Sequence, residues 1–293
     1  MLSQNQIGVL YMVGSVICFS IMDICVKWLD YYPVGQVLFL RFFIGFIPIF
    51  FIIPKDKLLN FYKTSRPGLH AFRAISGALA IIALFYGLRE LPLADVVSLT
   101  FGGPIFVTVA SIFFLSEKVG IKRWFAVLLG FVGMLLIVQP AFIDLNYYYI
   151  SPIIFCIFFA CVAISVRSLS KTEANYTIAF YFTLLCTIIG LGSIFFVDWI
   201  MPTKIDFLIF VIMALCGSIA NLLLTQSYRL AEASLVTPIK YLSLVFAIVF
   251  GFLIWSEIPK ALTLLGAALV ILSSLIIFVR ESQLKKQIIT PRS

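Results

Sequence analysis

Apolar positions along this chain come in ten long runs, and polar positions collect in the short breaks between them. The runs cover approximately 7–29, 34–53, 69–89, 92–115, 122–139, 150–169, 176–197, 206–228, 233–255 and 260–280. Each is close to the ~20 residues that an α-helix needs to cross a bilayer core. The breaks carry turn and charge signals, among them "DYYPVG", "RELPLAD", "SEKVGIKR", "DWIMPTKID" and "SEIPK". The pattern predicts an all-α integral membrane protein with ten transmembrane helices. So few residues join the third and fourth runs that they predict a tight hairpin. The fourth is weakened near its middle by "TFGGPIF", Thr100 to Phe106.

Composition agrees. Of 293 residues, 62% are hydrophobic and 12% charged, and the mean hydropathy is +1.13. Soluble domains carry about twice that share of charged residues. A net charge of +8 would suggest nucleic acid in a soluble protein, but in a membrane protein the placement of charge matters more. With the N-terminus inside, fifteen Lys and Arg fall on the cytoplasmic side and four (Lys27, Arg89, Lys204, Lys260) outside, with Arg41 and Lys240 within spans. The expectation is a multi-pass protein of the bacterial inner membrane with both termini cytoplasmic and no cleavable signal peptide. The tail from 281 to 293 reads as short, basic and solvated. Partners are the bilayer and a small-molecule substrate, not nucleic acid.

Enzyme readings find little support. There is no G-x-x-x-x-G-K-[ST], and His70 is the single histidine, read as an interfacial polar residue. The six cysteines all lie in apolar runs without a C-x-x-C pair, as packing residues do. No cofactor, no metal site and no catalytic residue is expected.

The chain also repeats itself. Slid along itself until Ala74 meets Ala214, it lays "AISGALAIIALFYGLRELPLADVV" over "ALCGSIANLLLTQSYRLAEASLVT". Gly77/Gly217, Ala80/Ala220, Leu84/Leu224 and Arg89/Arg229 are identical in this register. It continues through Phe106/Phe246 and Val109/Val249 to the "SE" pairs Ser116-Glu117 and Ser256-Glu257, and it sets Lys27 over Arg167. Five spans per half make the second half enter the membrane from the other side. The expected architecture is two inverted five-helix repeats, 7–139 and 150–280, as in many secondary transporters.

With "SE" closing the fourth span of each half, the chain resembles the EamA family of the drug/metabolite transporter superfamily. "MDICVKWL", "VLFLRFF", "KTSRPGLHAFRA" and "TPIKYLSLV" look like the branch of S-adenosylmethionine uptake carriers. The resemblance implies a bundle that alternates access to a central cavity. Uptake or exchange of S-adenosylmethionine or a related amino-acid metabolite is the first expectation, export of amino acids or drugs the second, and a channel or receptor the third.

Charges inside spans point to the site, because each costs at least ~2.5 kcal/mol to insert. Asp23 and Arg41 both lie roughly 10 Å below the same surface. They can pair structurally, or act as a gate or substrate contact. Lys27, one turn above Asp23, is expected to snorkel to the headgroups. A second cluster lies toward the cytoplasm. Lys240 follows Thr237-Pro238, where a mid-helix proline would free a carbonyl, and Asn221 and Thr225 share a face of the eighth span. Gly102, Gly103 and Pro104 read either as close packing or as a midplane break. Arg41 and Lys240 outnumber Asp23, which favours a carboxylate or phosphate on the substrate. Asp23 would receive an amine or other cation, and Tyr86 and Tyr241 a ring or cation. A zwitterionic metabolite fits this set.

Overall fold

The computed structural model describes residues 4–51, 53, 60–115, 121–144, 146–231 and 236–289. Of the residues counted or named above, Lys55, Lys57, Ser116, Glu117, Lys118 and Arg292 lie outside this set. The described chain forms eleven α-helices: α1 (Gln4–Trp28), α2 (Val34–Phe50), α3 (Pro67–Glu90), α4 (Leu93–Thr100), α5 (Gly103–Leu115), α6 (Ile121–Asp144), α7 (Ile150–Leu169), α8 (Asn175–Gly192), α9 (Lys204–Leu230), α10 (Leu242–Trp255) and α11 (Ala261–Ile289). Short 3₁₀ turns occupy Tyr147–Tyr149, Ser193–Phe195 and Thr237–Tyr241. Eight segments are long and apolar enough to cross a membrane, and the shorter apolar helices Val34–Ile49 and Trp124–Val138 bring the crossings to ten. Ten crossings return the chain to its starting side, called here the terminal face; the other is the opposite face.

Two spans are irregular, at matching places. α4 stops at Thr100 and α5 begins at Gly103, so the fourth span breaks where "TFGGPIF" predicts. Carried into the second half by the repeat register, that break lands on Tyr241 and Leu242, where the 3₁₀ turn Thr237–Tyr241 passes into α10. Here the expectation of a mid-helix proline is corrected: Pro238 sits in the first positions of the 3₁₀ turn, where its missing N–H breaks no α-helical hydrogen bond. The last span, expected at 260–280, is found at Ala261–Val279, and its helix α11 continues past it to Ile289.

Helix pairing follows a two-fold pattern. α1 packs along α9 and α3 along α7; α2 meets α9 as α3 meets α8; α5 meets α7 as α1 meets α10. Exchanging the halves maps each pair onto its mate, while α2–α8, α4–α10 and α6–α11 map onto themselves. Small residues bring the self-related pair α6–α11 close: a Cβ on Gly133 would lie 2.7 Å from the Gly266 carbonyl, and one on Gly266 2.6 Å from that of Gly133. On the same pair, Ser273 Oγ donates to the Ala126 carbonyl at 2.6 Å. In lipid, where apolar surface does not drive helices together, such close backbone approach carries the packing. Phe101 and Tyr241, mates under the repeat, touch each other with ring centroids 5.0 Å apart.

Candidate functional site

At the opposite face, Lys27 is buried, with 6% of its surface exposed. Its ammonium donates to the Leu91 carbonyl at 2.6 Å and forms an ion pair with Glu257, 5.3 Å from the Trp255 ring centre. Snorkelling is therefore corrected: a carboxylate and a carbonyl inside the bundle satisfy the charge. Local geometry aims Glu257 there. α10 ends at Ser256 in a left-handed conformation, φ 56°; the Ser256 N–H bonds the Phe252 carbonyl, as in a left-handed helix cap, and the Glu257 N–H returns to the Gly251 carbonyl. Gly251 leaves room, since a Cβ on it would lie 3.0 Å from Glu257 Oε2. That oxygen accepts from the Leu93 N–H at 2.9 Å, capping α4, whose own N-cap residue, Pro92, contributes no side-chain cap. One carboxylate thus fastens the end of α1, the α3–α4 hairpin and the end of α10. Nearby, Asp95 accepts from Tyr149 and Thr263.

One turn deeper on α1, Asp23 has no hydrogen-bond or ion-pair partner among the described residues. It lines a small cleft with Ser20, Leu93, Val97, Ser243, Phe246 and Phe250. Ser20 Oγ is likewise buried without a partner. Two unsatisfied polar side chains thus face a space walled by two aromatic rings. The cleft has room for about one water molecule, less than a small metabolite needs.

The direct Asp23–Arg41 ion pair is not formed. Arg41, 7% exposed, stays within electrostatic reach of Asp23 but turns its guanidinium to Met22 Sδ, with Nη2 at 3.0 Å and Nε at 3.4 Å. It lies 4.5 Å from the Phe42 ring centre and 5.9 Å from that of Phe85. A thioether is a weak acceptor, so the charge is sheltered rather than neutralised.

The second cluster is only partly assembled. Lys240 Nζ sits 5.3 Å from the Tyr228 ring centre, which joins the end of α9 to the 3₁₀ turn. Asn221 and Thr225 are exposed and spend their donors on their own helix, bonding the carbonyls of Gly217 and Asn221 at 2.9 Å. Tyr241 is held by Phe101 and by a hydrogen bond with Ser274. Tyr86 is 44% exposed on α3 and does not line the Asp23 cleft. His70, expected at the interface, is 2% exposed; it lies against Tyr181, ring centres 4.7 Å apart, with Nε2 4.0 Å from Glu173.

Two groups escape a reading of the sequence. Glu257 stands there only as part of a motif, although the repeat sets Lys27 over Arg167 and Glu257 over Glu117 as a doubled acid–base pattern. Arg73 counts there only as one of the basic residues of the cytoplasmic side, yet its Nε and Nη1 are buried without partners.

Comparison with known proteins places this geometry in context. The sequence profile of the EamA-like transporter family matches twice, over residues 6–139 and 146–279. A riboflavin transporter of Rhizobium johnstonii is 28% identical over 97% of this chain and 94% of its own. The pseudopaline exporter CntI of Pseudomonas aeruginosa is 27% identical over 91% and 94%. An S-adenosylmethionine uptake transporter of Rickettsia bellii is 27% identical over 96% and 97%. A crystal structure of a protein 14% identical shares the fold, with a TM-score of 0.64 over 94% of this chain and 98% of that one.

Proposed function

Because the chain belongs to the EamA-like transporter family, we propose that this membrane transporter carries a small zwitterionic metabolite, S-adenosylmethionine-like or an amino acid, across the bacterial inner membrane by alternating access. The observation that carries this reading is the Asp23 carboxylate. It stands without a partner in a cleft walled by Phe246 and Phe250, while Lys27 on the same helix is neutralised by Glu257. An unpaired carboxylate between aromatic faces receives an amine or sulfonium by charge and by cation–π attraction. Arg41 and Lys240 supply the complementary positive charge. In this reading the opposite face is periplasmic, both termini are cytoplasmic, and the Lys27–Glu257 pair holds the periplasmic mouth shut. The two repeats, 7–139 and 150–280, are the bodies that rock against each other.

Counterflow in proteoliposomes tests the reading, with labelled S-adenosylmethionine, single amino acids and riboflavin as the panel. A solute bearing both a cation and a carboxylate is expected to exchange, and riboflavin, which brings no cation to Asp23, to exchange more weakly. Failure of every carboxylate-bearing solute would overturn it. Lys240→Met is expected to remove most transport while leaving expression intact, and normal transport in that variant would make Lys240 structural. Cysteines placed at Tyr148 and Lys204 are expected to label from outside, and those at Lys63 and Lys171 from inside. Labelling of Lys63 and Lys204 positions from one side would refute the orientation.

A further inference from the structure

The repeat register relates two side chains that touch where α2 packs against α8. Phe42 on α2 and Phe182 on α8 are mates in that register, and their rings meet edge to face, centroids 5.1 Å apart. An arginine packs against each ring. The Arg41 guanidinium is 4.5 Å from the Phe42 ring centre, and that of Arg73 is 3.8 Å from the Phe182 ring centre. Each is admitted by a glycine, and the glycines are themselves repeat mates. A Cβ on Gly217 would lie 2.9 Å from Arg41 Nη2, and one on Gly77 3.1 Å from Arg73 Nη1. The first arginine occupies the α2–α9 contact and the second the α3–α8 contact, which exchange under the two-fold.

The arginines are not repeat mates in sequence. The repeat sets Tyr181 over Arg41 and Met213 over Arg73. Two unrelated positions thus bring a guanidinium to equivalent places on either side of one aromatic pair. Neither meets an acid within ion-pair distance among the described residues. Arg41 hydrogen-bonds the Met22 thioether and feels Asp23 only at a distance, and Nε and Nη1 of Arg73 have no partner. Cys186, fully buried one turn along α8 from Phe182, lies within electrostatic reach of both. A guanidinium held among apolar and aromatic side chains without a carboxylate in contact is costly, and an anion brought to it relieves that cost.

From this geometry we infer a pair of anion stations, Arg41 and Arg73, that hold the carboxylate or phosphate of the transported solute in turn. Arg41 holds it when the bundle is open to the opposite face, and Arg73 when it is open to the terminal face. The inference rests on the transport reading for its setting, and it adds a residue and an order of contacts which that reading lacks.

Cys186 provides a test that needs no knowledge of the solute. In membranes carrying a protein with the other five cysteines replaced by serine, two thiosulfonate reagents of similar size are compared, one bearing a sulfonate and one a trimethylammonium group. The sulfonate reagent is expected to label Cys186 at least tenfold faster. Arg41→Gln and Arg73→Gln are each expected to cut that ratio threefold or more, while Arg41→Lys and Arg73→Lys, which keep the charge, retain it. Equal rates in the parent protein, no labelling by either reagent, or a ratio indifferent to both glutamine variants would overturn the stations. Loss of preference with only one of the two would overturn the second station. Charge-selective labelling in a protein that transports no panel solute would leave the stations standing and remove the zwitterionic-metabolite reading; charge-blind labelling in an active carrier would do the reverse.

Discussion

Asp23 and Lys27 stand one turn apart on α1, and the bundle treats them in opposite ways. Lys27 has an acid, a carbonyl and an aromatic ring around its ammonium. Asp23 has a cleft, an equally unsatisfied serine and two phenylalanines. A charge that the fold satisfies is part of the scaffold. One that the fold leaves unsatisfied, at the same cost of insertion, is kept for something the protein does not itself supply. The contrast assigns Lys27 to holding the helices and Asp23 to meeting a solute.

Removing the acid that serves Lys27 is expected to have the largest effect. Glu257→Ala strands a buried ammonium and uncaps α4, and is expected to cost about 3–5 kcal/mol, read as a fall in melting temperature in detergent. Adding Lys27→Met should restore most of the loss; a persistent deficit would mean that the α4 cap, rather than the pair, carries the stability. Asp23→Asn should behave in the opposite way, with melting nearly unchanged and counterflow reduced more than tenfold, about 1.4 kcal/mol in the barrier. A large loss of stability there would erase the contrast. Ser256→Val tests how the lock is aimed. A β-branched residue in the left-handed region is expected to cost about 1–2 kcal/mol, with a parallel weakening of the Lys27 contact seen as a smaller further loss of stability when Glu257→Ala is added. The smallest effect expected is a coupling. Because Asp23 and Arg41 are not in ion-pair contact, their stability changes in Asp23→Asn and Arg41→Gln should add to within about 0.5 kcal/mol. Clear rescue in the double variant would reinstate the pair.

The number of spans and the α4–α5 break were legible because bilayer thickness and glycine–proline chemistry act locally. The repeat register was legible because both halves retain the same packing residues. What stayed hidden was which way a charge points. A soluble helix reveals its buried face by its polar one, but a helix surrounded by lipid is apolar all round. Nothing near Arg73 in sequence distinguishes a side chain reaching down to the headgroups from one reaching inward to Phe182. The Lys27–Glu257 pair joins residues 230 positions apart, and spacing on one helix pointed to Asp23 as the neighbour instead. The doubled acid–base pattern held the missing clue, but only a known helix pairing turns it into a contact.

The ring beside the Lys27 ammonium gives the lock an optical signature. Trp255 is 5.3 Å from that cation and meets Trp28 edge to face, centroids 6.4 Å apart; the chain has only two other tryptophans, Trp124 and Trp199. Parting of α1 from α10 removes a positive charge from one indole and separates the two emitters in a single movement. In a Trp124→Phe, Trp199→Phe background, the emission maximum and anisotropy of the remaining pair become a stopwatch for the opening of this mouth, with no label attached and no solute required.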